Sequence, residues 1–177
     1  MKRLSLLAAA FALLSAACGS SSSTSTTSPT PTPTTTPIFS AVLSPANEVP
    51  PVTNAESTVT GTATITLNTT KDSAGNITAA SATFAVTLGG FPAGSTVNVA
   101  HIHEGATTCA CPVVVNTTIV AGDVTVTNGL ASFTRANVTV TPEVAQRILN
   151  NPSGFYFNVH SSLNAGGVAR GALVKVS

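Results

Sequence analysis

Charged side chains are almost missing from this 177-residue chain: they make up 7% of it, and the formal net charge is +1. Its one basic pair, Lys2-Arg3, stands at the start, so no cluster is there to neutralise a run of phosphates, and nucleic acid is excluded as a partner. Acidic residues number only six. No close carboxylate pair, no G-x-S-x-G elbow, no Cys-His nucleophile frame and no phosphate loop occurs, which points away from an enzyme. The longest hydrophobic run, Leu4 to Leu14, is too short for a membrane-spanning helix. Histidine and cysteine are rare as well, at three each. Where those few fall is the informative part.

The start, "MKRLSLLAAAFALLSAACGS", has a basic end, an apolar stretch and then small residues, the layout of a secretory signal peptide over 1–18. Its small residues end on a cysteine, and "LLSAAC" resembles the lipobox of bacterial lipoproteins, although Leu14 stands four residues before Cys18 instead of three. That resemblance implies lipidation at Cys18 and an exported protein anchored in the cell envelope, at the outer membrane or cell surface. Residues 19–37, "GSSSSTSTTSPTPTPTTTP", offer nothing to bury and favour solvated, extended backbone. They read as a tether between a membrane and a folded domain over 38–177.

That domain reads as all-β. Segments 57–67, 77–88, 96–103, 112–118, 122–127, 130–135, 154–160 and 168–176 are rich in β-branched residues and separated by Gly, Pro, Asn and Asp. Lys71 to Asn76 and Asn128-Gly129 read as hairpin connections. Many short strands with regular turn signals predict an antiparallel sandwich or barrel. One segment departs from this. In "TPEVAQRILNNPSG" Thr141 suits an N-cap, Pro142 the first helical position, and Val144, Ile148 and Leu149 form an apolar stripe, which predicts a short helix crossing between sheets.

Two of the three histidines stand in "VAHIHEG", residues 99–105. On a strand, Val97, Val99, His101 and His103 project to one face, and the two imidazoles have Cα atoms roughly 6.5–7 Å apart. The third, His160, ends "GFYFNVH" and shares a face with Tyr156 and Asn158. Converging at one rim of the sandwich, His101, His103 and His160 would form a copper or zinc site. The competing reading has His101 and His103 bonded to backbone carbonyls or to Glu104. Cys109 and Cys111, in "TTCACP", are the thiols left to pair once Cys18 is lipidated, so export predicts a disulfide; the alternative is a soft-metal role. Arg170, between Ala169 and Gly171, is expected to be partly buried and to pair with Glu48, or failing that with Glu104.

"FSAVLSPANEVPP" (39–51), "GTATITLN" (61–68), "VAHIHEGA" (99–106), "PVVV" (112–115) and "FYFNVHSSLNAGGVARGAL" (155–173) together resemble the CHRD (chordin-type) domain. The resemblance rests on Glu48 with Pro50 and Pro51, on the A-H-I-H of 100–103, and on Asn158, His160, Gly166, Gly167, Arg170 and Gly171. The Cys-Ala-Cys insertion stands outside that pattern. What the resemblance implies is an extracytoplasmic antiparallel β-sandwich, immunoglobulin-like or superoxide-dismutase-like in its Greek key. The function expected is a lipid-anchored binding or structural module whose ligand, a protein or cell-surface one among the options, is undefined, with a copper site on His101, His103 and His160 as the alternative. A second resemblance, of His101, His103, His160 and Arg170 to copper/zinc superoxide dismutase, implies copper as cofactor. The bridging and zinc-loop histidines of that enzyme have no counterpart here.

Overall fold

The computed structural model describes residues 36–177. The stretch expected to be a signal peptide, Cys18, and the expected tether up to residue 35 lie outside the described residues. In chain order the strands are β1 (Ile38–Leu43), β2 (Thr60–Lys71), β3 (Ile77–Gly89), β4 (Val97–Glu104), β5 (Val113–Asn116), β6 (Leu130–Val140), β7 (Phe155–Ser161), β8 (Ala169–Ala172) and β9 (Val174–Lys175), with helix α1 (Pro142–Asn150) between β6 and β7. They form two antiparallel sheets, one ordered β6-β3-β2-β1-β9 and the other β5-β4-β7-β8. This is the antiparallel β-sandwich with one short helix that the resemblance implies, and of the two architectures that turn spacing allows it is the sandwich and not the barrel.

Period-two alternation fixes which face of each strand is dry. From the first sheet Phe39, Leu43, Ile65, Leu67 and Phe84 point inward; Ala100, Ile102, Phe157 and Val159 of the second meet them, and all are buried. Phe84 and Phe157 stack across the gap with ring centroids 5.6 Å apart. Each such side chain contributes roughly 1.5–3 kcal/mol by leaving water. The core is therefore aliphatic with a few phenyl rings, as a chain without tryptophan requires.

Helix α1 forms for the reasons visible in its sequence. The Thr141 hydroxyl accepts from the Val144 N–H (3.4 Å), Pro142 opens the first turn, and Val144, Ala145 and Ile148 are buried. It carries the chain from β6 in one sheet to β7 in the other.

Four local expectations need correction. The strand read over 122–127 is absent: an Asp123–Val120 turn with Gly122 at positive φ replaces it, and Val124 keeps only a single bridge to Val97. The run 168–176 is not one strand. β8 ends at Ala172, buried Leu173 makes the corner, and β9 pairs with β1 in the opposite sheet. Val97 does not share the histidine face, because a register shift between Val97 and Val99 turns it into the core. Finally, β1 is a strand that the list of β segments omits.

Candidate metal centre

β4 and β7 lie side by side, with Val99 opposite His160, His101 opposite Asn158 and His103 opposite Tyr156. Because Ala100, Ile102, Phe157 and Val159 face the core, alternation sends His101, His103, Tyr156, Asn158 and His160 to the outer face. Every residue of β7 is nonetheless buried. Loops cover that outer face and make it a second, polar interior. The histidines thus sit on the face of the sheet, beneath loops, and not at an open rim of the sandwich as the sequence suggests.

The three rings pack edge to face and stacked, with centroids 5.1 Å (His101 to His160), 5.7 Å (His101 to His103) and 6.4 Å (His103 to His160) apart. His103 Nδ1 lies 2.7 Å from the Cys111 carbonyl, and His160 Nδ1 lies 2.9 Å from the Ala165 carbonyl. A carbonyl only accepts, so each Nδ1 carries the proton and each Nε2 keeps its lone pair. Those two Nε2 atoms, and Nδ1 of His101, are buried without a hydrogen-bond partner. The carbonyl bond expected for His101 and His103 is made by His103 alone; Nδ1 of His101 has no partner, and His160 is the second ring held by a carbonyl. Carbonyl bonds orient two of the rings and leave their other nitrogens free.

Burial keeps all three imidazoles neutral. It is the main cause that lowers each pKa, and repulsion from His160 and His103 adds to it at His101, which is brought down to about 4. At His103 and His160 the carbonyl bonds work the other way, but burial outweighs them. Neutral imidazole is the form that ligates a metal. One ligand atom from each ring lies within 4.8 Å of the others. A tetrahedral ion with bonds of about 2.05 Å holds its donors roughly 3.4 Å apart, so closing the set needs ring movements of about 1 Å. In its chemistry, three neutral imidazole nitrogens, the donor set suits copper or zinc.

Around this cluster runs a buried polar frame. Arg170 and Glu48, 2% and 3% exposed, are joined by two guanidinium nitrogens on one carboxylate oxygen at 2.5 and 2.6 Å. Burial pushes the Glu48 carboxyl above its usual range even though Arg170 and Asn158 favour the ionised form. Arg170 also donates to the Cys109 carbonyl (2.8 Å) and lies over the Tyr156 ring, 4.8 Å from its centroid. Tyr156 in turn stacks on His103 at 4.7 Å and 3°. Gly167, at φ +134°, leaves room for Glu48 and Asn158, against which any Cβ would collide. Gly171 lets β8 pass the backbone of Val42. Pro50 and Pro51 are exposed beside the Glu48 turn.

Cys109 and Cys111 are joined by a disulfide, so neither offers a thiolate to the cluster. Glu104 turns away from the histidines and from Arg170 and binds Arg147 bidentately at 2.7 and 2.9 Å on the surface. Two participants were not singled out from sequence. Alternation puts Tyr156 on the histidine face but gives it no role, and Glu56 carries no motif. Glu56 is fully buried and accepts from Ser95 (2.8 Å), Ser161 and Asn164 (2.5 Å), which ties the loop bearing Ala165 to the body of the domain. The only signal for it was an acidic residue in a chain that has six.

The sequence model of the CHRD domain family matches residues 39–173. None of the curated proteins and none of the solved structures compared with the chain matches it.

Proposed function

Because the chain belongs to the CHRD domain family, we propose that it is a β-sandwich binding module, held at the cell envelope through a lipid on Cys18, whose ligand is a copper ion on His101, His103 and His160. The observation that supports this reading is the convergence of three buried, unpartnered ring nitrogens. An unsatisfied buried polar atom costs roughly 1–3 kcal/mol, and three together are explained by an ion that accepts them all. The donor set consists of imidazoles alone. Nitrogen donors suit copper and zinc, and the ordering of divalent affinities favours copper. His101 is only half-buried and gives an ion its way in.

The signal-peptide layout, "LLSAAC" and the Ser/Thr/Pro stretch after it support export, lipidation and tethering. Titrating Cu(II) at neutral pH into metal-free Cys18→Ser protein, purified without a His-tag, tests the ligand. One equivalent binds, and the His103→Ala/His160→Ala double variant binds roughly 100-fold or more weakly. Equal binding by the two proteins would remove copper from the proposal. Membrane fractionation tests the anchor: mature wild-type protein sediments with membranes, whereas a Cys18→Ser protein that still does so in processed form contradicts lipidation.

A further inference from the structure

The Cys-Ala-Cys loop supplies the acceptor that fixes His103, and its backbone is tied down at several points. Cys111 presents its carbonyl to His103 Nδ1 and its N–H to the Tyr156 hydroxyl (3.2 Å), while that hydroxyl donates to the Cys109 carbonyl (2.9 Å). Arg170 holds the same Cys109 carbonyl from the other side. The disulfide closes this loop across a single residue and packs against Gly105, where a Cβ would collide with both sulfurs. Both cysteines are half-buried.

From this arrangement we infer that the Cys109–Cys111 disulfide is a redox control on the histidine cluster: oxidised, it holds His103 in the ligating orientation, and reduced, it lets that ligand go. The inference rests on the copper reading above. The reductant is a dithiol. Its thiolate attacks one sulfur of the disulfide, forms a mixed disulfide there and releases the other cysteine as a thiolate; its second thiolate then closes the reductant's own disulfide and displaces the cysteine that was attacked. Two electrons and two protons pass to Cys109 and Cys111, which become thiols, and the dithiol leaves as its own disulfide. Without the cross-link, the bonds to Tyr156 and Arg170 still hold the Cys111 N–H and the Cys109 carbonyl, but the covalent restraint on the Cys111 carbonyl is gone and it can swing from the His103 ring. A lost partner of this kind weakens metal affinity by about 10–100-fold. The site would then hold its ion in an oxidising compartment and release it to a reducing partner.

Two measurements test this on the soluble Cys18→Ser full-length protein. The first needs no metal. In the oxidised apoprotein, NMR of the ring protons shows slowly exchanging Nδ1–H signals for His103 and His160. Dithiothreitol removes the His103 signal and leaves that of His160, which the Ala165 carbonyl holds independently. If both signals persist, or both vanish together, the coupling is not specific to His103 and the inference is overturned. The second compares Cu(II) affinity in oxidised protein and in protein reduced, alkylated and freed of reductant. The alkylated form binds about 10–100-fold more weakly. A difference under twofold overturns the redox control and leaves the copper reading standing, whereas no binding by the oxidised protein overturns the copper reading, and the inference with it.

Discussion

Replacing Arg170 by Met keeps an unbranched apolar stem and removes the guanidinium at its end. Glu48 is then left 3% exposed with no counter-charge, and the Cys109 carbonyl loses one of its two donors. Breaking a buried ion pair from one side costs about 3–5 kcal/mol, because the remaining charge is uncompensated. A domain of this size is stable by roughly 5–15 kcal/mol, so Arg170→Met removes a large share. The loss has a built-in limit. Burial already pushes the Glu48 carboxyl upward, and without Arg170 its pKa rises further until the group protonates. The deficit is therefore largest at neutral and alkaline pH and narrows as pH falls, since the neutral carboxyl needs no partner. Adding Glu48→Gln to Arg170→Met removes the orphaned charge and restores part of the stability. Urea unfolding of the soluble Cys18→Ser protein and the variants, at several pH values, reads all three effects. A loss under about 1 kcal/mol, typical of an exposed ion pair, or a deficit independent of pH, would refute the reasoning.

Other consequences are as direct. The apoprotein loses stability as pH falls from about 6.5 towards 4, because the unfolded chain takes up protons that buried His101, with its pKa near 4, does not. For His101 alone the loss has an upper limit of roughly 3 kcal/mol, and thermal unfolding of metal-free protein across that range, compared with His101→Gln, measures it. Gly167→Ala destabilises by about 1–3 kcal/mol through its positive φ and its collision with Glu48 and Asn158; an unchanged melting temperature contradicts that. Glu56→Ala leaves three donors without their acceptor and costs roughly 1–3 kcal/mol for each that stays dry. Hydrogen exchange shows the loss first in residues 161–167.

The parts of this molecule that alternation and caps specify were legible in the sequence. Thr141, Pro142 and the Val144/Ile148 stripe define α1, and Phe155, Phe157 and Val159 define the dry face of β7. Alternation also put His101 with His103, and His160 with Tyr156 and Asn158. It said nothing of pairing, and β4 and β7 are separated by β5, β6 and α1 in sequence. What a strand pattern lacks is the register that sets Val99 against His160 and the loops that cover the outer face. The Cys111 and Ala165 carbonyls are backbone atoms, so no side-chain motif announces them as the partners of His103 and His160. Leu173 misled for a similar reason: "VARGALVKV" has strand composition throughout, and only the closure of two sheets makes it turn a corner there.

The central claim is that one copper ion is held by three imidazoles, and X-ray absorption at the copper edge counts them. Protein loaded with one equivalent should show three histidine nitrogens at about 2.0 Å, falling to two in His101→Ala. A first shell of oxygen atoms, or a spectrum that His101→Ala and His160→Ala leave unchanged, would contradict the account.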